Sequence, residues 1–238
     1  MTSNNGAPNR HQAIFLWVVL ALFILISAWI VYRGYTSNRD TFLAGAPPLD
    51  VQKALFPEKI DLTKMRPPAL RASDPIRYGS VTSSAAVIEF GDFDCESCRA
   101  MRSTLASVIP TYRGAVRLVW RDFPVTDEHP KSMDAAIFAR CAGFQGKFWE
   151  AYDALFDAEI PKSESTFTKI SRAIGLDANQ LYACRQDEAL RAAVQLDLDT
   201  ARNDGIDSAP MLFIGSKAVR GPISPEILKQ EIDLFLAS

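Results

Sequence analysis

Histidine is almost missing from this 238-residue chain: His11 and His129 are the only two. Cysteine is sparse as well, with four in all, Cys95, Cys98, Cys141 and Cys184. A zinc ribbon needs a second Cys-x-x-Cys or a histidine pair, and neither is available. Covalent c-type haem needs histidine directly after the second cysteine, where Arg99 stands instead. Charge is balanced, 26 Lys and Arg against 28 Asp and Glu, which argues against a nucleic-acid groove or a polybasic lipid switch. No internal repeat or low-complexity tract is visible.

What is present is one Cys-x-x-Cys pair, Cys95-Glu96-Ser97-Cys98, after the apolar run Ala85-Ala86-Val87-Ile88-Glu89-Phe90. The pattern from Arg99 to about Arg113 predicts a helix. A dithiol at a strand-to-helix junction has the geometry for thiol–disulfide exchange. The first cysteine meets unpaired amides and the positive end of the helix dipole, which favour its thiolate. The second lies one turn later, placed to resolve a mixed disulfide. A buried inert disulfide is the competing reading, and a two-residue spacer at a helix start is an unusual place for one.

Residues 12–32 read as a membrane anchor. From Ala13 to Tyr32 no side chain is charged and only Ser27 is polar. A helix of that length rises about 30 Å, the thickness of a bilayer's hydrocarbon core. The run exceeds a signal-peptide core and no small-x-small cleavage site follows closely, so a retained signal-anchor is expected. Arg10 before it and Arg33 and Arg39 after it slightly favour a cytoplasmic C-terminus. Large domains translocate largely regardless of flanking charge, and four cysteines in two plausible pairs point to an oxidising compartment. The expected location is a single-pass membrane protein with its C-terminal domain extracytoplasmic, in the periplasm or at the cell surface.

Residues 1–11 form a tail. Residues 33–75, with Pro47, Pro48, Pro57, Pro67, Pro68 and Pro75, read as a spacing stalk with a short helix near Val51–Leu55. Residues 76–238 read as one folded domain. Ala86–Phe90 and Val116–Trp120 are predicted strands, and the pattern from Lys131 to Asn203 is helical, broken near Pro161 and Gly175. Met211–Ile214 and Ala218–Arg220 predict a hairpin around Gly215-Ser216-Lys217. Ser224 and Pro225 cap and open a closing helix to about Ala237. The pattern implies a mixed α/β sheet with helices on both faces and a helical insert at about 130–203.

Four islands in order carry a family resemblance: Glu89 to Cys98, Arg117-Leu118-Val119-Trp120-Arg121-Asp122-Phe123-Pro124, Ala139 to Trp149, and Ser208-Ala209-Pro210-Met211-Leu212-Phe213-Ile214-Gly215. Over roughly residues 75–238 the chain resembles the DsbA-like branch of the thioredoxin superfamily. That resemblance implies a thioredoxin-like fold with an inserted α-helical domain, acting on protein thiols outside the cytoplasm. Cys95 then looks like the nucleophile, Cys98 like the resolving thiol, and Pro210 like the family's cis-proline beside them. Expected partners are exported proteins with thiols or disulfides, and a membrane redox partner that resets the dithiol. No cofactor, resident metal or nucleic acid is expected.

Two departures from the family's habits stand out: Glu96 and Ser97 fill the spacer, and Ala209 precedes the proline. A carboxylate about 7 Å from Cys95 opposes its thiolate by about 0.6–2.4 kcal/mol at effective dielectrics of about 80 to 20. Arg99, three residues on, offsets part of this. The expected dithiol is less oxidising than one with a histidine spacer.

Glu89, acidic in an apolar strand, either relays a proton to or from Cys98 with a raised pKa or faces a polar side and does nothing. His129 is expected at the surface, and Phe148, Trp149 and Tyr152 in a packed helix face. Cys141 and Cys184 sit on helical segments in apolar surroundings. They are read as a structural disulfide, against the alternative of two separately buried thiols. From a different class comes metal delivery, with Cys95 and Cys98 holding Cu(I) and Met101 or Met133 in support. A reductase feeding another membrane-facing dithiol is the nearest variant of the exchange reading, and a membrane-tethered adaptor or peptide-binding chaperone with an incidental dithiol is a third possibility.

Overall fold

The central strands are built from side chains that need cover on both faces. The computed structural model describes residues 61–238 together with Ile26, Ser27 and Trp29. Strand β2 (Ala85–Gly91) and strand β3 (Val116–Asp122) lie side by side and parallel, in register from Ala85 opposite Val116 to Gly91 opposite Asp122. Each strand has one partly exposed residue near its start and is buried thereafter, as expected for parallel neighbours covered on both faces. A β-carbon on Gly91 would run into the Trp120 ring, so only glycine fits there.

Strand β1 (Ile76–Arg77) adds antiparallel to β3. Strand β4 (Met211–Ile214) adds antiparallel to β2, and β5 (Lys217–Arg220) closes the hairpin. The order is β1-β3-β2-β4-β5. The hairpin turns on Gly215 and Ser216, with Gly215 at φ +57° and Phe235 where a β-carbon would go.

Helix α1 (Glu96–Val108) links β2 to β3 and runs into a 3-10 turn, Ile109–Tyr112. The expected single helix to Arg113 changes type where Pro110 brings no amide donor, and Arg113 ends it at φ +49°. Between β3 and β4 come α2 (Ser132–Phe144), α3 (Phe148–Asp157), α4 (Glu164–Ala173), α5 (Ala178–Arg185) and α6 (Glu188–Asn203). Helix α7 (Pro225–Leu236) opens with Ser224 accepting from the Ile227 amide.

Period-two alternation sorts the sheet into two faces. Ala85, Val87, Val116, Leu118, Leu212 and Ile214 meet α1 and α7 through Met101, Leu105, Leu228 and Ile232. Ile88, Phe90, Val119, Met211 and Phe213 meet α6 through Leu198 and Ala201. The helical insert shares its core with the region of the dithiol: Phe93, Cys95, Cys98 and Trp120 pack in one cluster with Phe138, Tyr152, Leu155 and Phe156. Trp120 lies 4.7 Å from Phe93 and 5.1 Å from Tyr152, ring centre to ring centre.

Residues 61–75, read from their prolines as part of a stalk, pack on the domain. Met65 is buried with Ile88 and Phe213. Asp74 pairs with Arg121 at 2.7 Å, both buried, and Arg121 also donates to the Ala69 carbonyl. A buried pair held by further hydrogen bonds fixes the segment, because removing either partner strands a charge. The tail, most of the expected anchor and residues 33–60 lie outside the described residues. Of the residues expected to form an anchor, Ile26, Ser27 and Trp29 are helical and exposed. Among the described residues no helix is long and apolar enough to cross a membrane.

Candidate active site

Cys95 is the N-cap of α1, and its sulfur accepts from the Cys98 amide at 3.2 Å. The Ser97 hydroxyl lies 3.0 Å away on the same sulfur. Four residues make one helical turn here, so the dithiol is assembled by local geometry alone. Both cysteines are free thiols; Cys95 is 6% exposed and Cys98 fully buried.

The two sulfurs differ sharply in acidity. A hydrogen bond from Cys98 is the largest influence on Cys95; with those from Ser97 and the Cys98 amide it outweighs burial and lowers the Cys95 pKa to about 6. Burial, then the bond to Cys95 and the nearby charges of Cys95 and Glu89, push the Cys98 thiol well above its ordinary value. At neutral pH Cys95 is a thiolate and Cys98 holds its proton. That division is what nucleophile and resolving thiol require.

Alternation along β2 puts Glu89 on the face covered by α1, beneath the dithiol. It is fully buried, with Oε2 accepting from the Tyr152 hydroxyl at 3.1 Å and Oε1 without a hydrogen-bond partner. Burial raises its pKa to about 8, against the Tyr152 bond and with help from the Cys95 charge. Glu89 is therefore a neutral acid at pH 7, close enough to both sulfurs to feel their charge. Tyr152, read from sequence as packing alone, also carries this hydrogen bond.

The Ala209–Pro210 peptide is cis, Pro210 is buried, and the Ala209 carbonyl oxygen lies 3.6 Å from Cys95 Sγ. Across the site, Arg99 donates to the Ala158 carbonyl at 2.6 Å and Lys162 donates from Nζ to the Phe93 carbonyl at 3.1 Å. Lys162 is buried and also pairs with Asp94 at 3.3 Å. The active-site loop is thus tied to the α3–α4 connection. Glu96, by contrast, is 78% exposed, with Arg99 Nε at 3.7 Å.

His129 stands in the loop after β3, partly exposed, with a buried partner that its sequence position does not show. Its ring is 25% exposed and Nδ1 lies 2.9 Å from Asp92 Oδ2. Sequence reading missed this pair and Lys162, because no periodic pattern marks them. They meet because the parallel pairing of β2 with β3 brings the segments after both strands to the same end of the sheet. Met101 and Met133, the thioethers proposed for copper, are buried in two different apolar clusters. Among the described residues no group of three or more His, Cys, Asp or Glu side chains is gathered as for a metal.

A mixed sheet with a helical insert, an acidic N-cap cysteine, a buried partner thiol and an adjacent cis-proline are the parts that thiol–disulfide exchange uses. The family model described as thioredoxin matches residues 71–234. A thioredoxin-like oxidoreductase from Silicibacter pomeroyi DSS-3 superposes with a TM-score of 0.64 at 25% identity, covering 71% of this chain and 95% of that one. A probable disulfide bond formation protein D from Bacillus anthracis is 24% identical over 65% of this chain and 75% of its own length. A protein named Na(+)/H(+) antiporter NhaA 3, from Salinispora tropica, is 25% identical over 90% of this chain but only 31% of its own length. The chain spans about a third of the length of the antiporter-named relatives. This chain belongs to the thioredoxin family.

Proposed function

We propose that the chain is a membrane-tethered, extracytoplasmic oxidase that forms or rearranges disulfides in exported proteins. The observation that carries this is the acidic Cys95 beside a Cys98 kept protonated. Stabilising the reduced thiolate makes a dithiol a better electron acceptor, which favours oxidation of substrates over a reductase role.

In the disulfide form a substrate thiolate attacks Cys95. The bond between substrate and Cys95 forms, the Cys95–Cys98 bond breaks, and Cys98 leaves with the electron pair and takes a proton. Glu89, neutral and buried beneath it, supplies that proton and takes another from solvent, so that both groups are protonated in the reduced form. A second substrate thiolate attacks the substrate sulfur of the mixed disulfide, forming the substrate disulfide and releasing Cys95 as a thiolate. Two electrons have moved to the enzyme, and a membrane redox partner of the kind DsbA-like proteins use removes them.

An anchor at residues 12–32 raises the effective concentration of such a partner. The bridge between Cys141 and Cys184 supports an oxidising compartment. Trapping with Cys98→Ala in cells tests the whole reading. Mixed disulfides through Cys95 to exported proteins, in the membrane fraction, are expected, and none when Cys95→Ser is added. Purified Cys95→Ser should lose oxidation of a reduced peptide entirely; retained activity would overturn the enzyme assignment. Cytoplasmic clients or a soluble protein would overturn the location. Tight Cu(I) binding without peptide oxidation would favour the metal-delivery alternative.

A further inference from the structure

The reaction as described leaves one buried carboxylate–imidazole pair unused. Asp92 directly follows β2 and is 1% exposed. Its Oδ1 accepts from the Asp94 amide at 2.8 Å. Its Oδ2 accepts from the Val125 amide at 2.9 Å and lies 2.9 Å from His129 Nδ1. Its backbone carbonyl accepts from the Cys95 amide at 3.2 Å. Asp92 is thereby joined to the nucleophile by one backbone turn and to the β3–α2 loop by its side chain.

An uncompensated carboxylate in that position works against a thiolate, and the Asp92 charge does oppose ionisation of Cys95. Burial holds the Asp92 pKa above its ordinary value, and the His129 hydrogen bond, the two amides and the His129 charge offset only part of that rise. Burial also disfavours charge on the imidazole. It is outweighed by the Asp92 hydrogen bond and the charges of Asp92, Cys95 and Glu128, which hold His129 above the ordinary histidine value. The other charged groups facing the pair are Glu128 in the same loop, Cys95 at the start of α1, and Lys162 from the α3–α4 connection. The ring reaches solvent while Asp92 is sealed, so protons exchange through His129 alone.

We propose that His129, held on Asp92, is a positioning residue for Cys95 whose positive charge cancels that of the carboxylate and so sets how readily the sulfur ionises. This rests on the thiol–disulfide reading of the site. When His129 loses its proton the Asp92 charge stands alone, and Cys95 binds its own proton more tightly. The dithiol is therefore more oxidising below the His129 titration than above it. Linkage makes the coupling reciprocal: closing the Cys95–Cys98 disulfide removes the thiolate, and His129 then releases its proton at lower pH.

The test uses the full chain. His129→Gln keeps an amide donor for Asp92 and removes the charge. The acid dissociation constant of Cys95, read from the pH dependence of its alkylation rate, should fall about three- to tenfold. Asp92→Asn combined with His129→Gln removes both charges and should restore most of it. An unchanged constant in the single variant, or a double variant as impaired as the single, overturns the proposal. Should Asp92→Asn fail to fold, nuclear magnetic resonance titration of His129 in the unaltered protein decides. A higher pKa in the reduced than in the oxidised form supports the coupling, and identical titrations overturn it. Oxidation of a reduced peptide by the parent protein is measured alongside. Its absence with the coupling intact would remove the enzymatic reading and leave the electrostatic one.

Discussion

The two cysteine pairs border the same hydrophobic cluster and yet stand in opposite chemical states. Cys95, Cys98 and Cys141 are 6%, 0% and 1% exposed, so burial does not separate the reactive pair from the structural one. Cys95 and Cys98 are three residues apart and free, surrounded by an amide, a hydroxyl, a buried acid and a carboxylate–imidazole pair. Cys141 and Cys184 are 43 residues apart, bonded between α2 and α5, with a Cα–Cα separation of 5.8 Å. Cys141 belongs to the same apolar cluster as Phe138, Phe167 and Leu181, and Cys184 packs against that cluster. What makes a cysteine reactive here is the donors aimed at its sulfur; apolar walls alone leave a thiol inert.

The largest way to sharpen that contrast is to delete the second pair. Closing a loop of 43 residues stabilises a fold by about 4 kcal/mol in the chain-entropy model. Cys141→Ala with Cys184→Ala should therefore unfold at clearly lower urea while its peptide oxidation per folded molecule stays within about twofold of the parent. Loss of exchange in protein that remains folded would show that the insert's bridge also shapes the dithiol, and the division between chemistry and architecture would fail.

A smaller effect separates the two pairs by pH. Glu89 has a folded pKa of about 8 against an ordinary 4.5. Between those values the native state holds a proton that the unfolded chain has released, so stability falls with rising pH, by about 1.4 kcal/mol per pH unit. Cys95 works the other way. From about 6 to its ordinary 9.0 the native thiol has ionised and the unfolded one has not, so stability of the reduced form rises with pH. The disulfide form has no Cys95 titration at all. Reduced minus oxidised stability should thus climb across that window, while parent minus Glu89→Gln should decline from pH 4.5 to about 8. Urea unfolding across pH in both redox states checks each difference. A flat reduced-minus-oxidised curve would mean that Cys95 is an ordinary thiol.

Much of this was legible from residue order, and the reasons are physical. The dithiol, the strands around it, the hairpin and the closing helix rest on local signals: apolar runs, caps and turn residues. Glu89 stood out because a charge in an apolar strand needs an explanation. The region 61–75 was misread because proline density marks an extended chain but not what that chain packs on; Met65 and Asp74 provide the anchorage. Strand β1, two residues long, carries no alternation to detect. His129 and Lys162 escaped for a different reason. Their partners, Asp92 and Asp94, come close only after β2 and β3 pair and the insert folds back.

The smallest effect concerns Glu96, where sequence distance alone allowed a large one. Spacing put its carboxylate about 7 Å from Cys95 and left the dielectric open. With its side chain 78% exposed and Arg99 at 3.7 Å, the carboxylate faces water, and solvent and counterions screen it. The interaction belongs near the watery limit, where two charges at that distance correspond to about 10–20 mV in the reduction potential of a two-electron couple. Glu96→Gln, equilibrated with glutathione at low salt, should raise the potential by that amount, because removing a negative charge stabilises the Cys95 thiolate and hence the reduced form. Glu96→His should raise it further through its added positive charge. Both increments should shrink as salt is added, unlike those from the buried Asp92. A rise of 50 mV or more, roughly, would place Glu96 at low dielectric despite its exposure. No rise at low salt would mean that Arg99 already neutralises the carboxylate, and the spacer would then act on the dithiol through Ser97 alone.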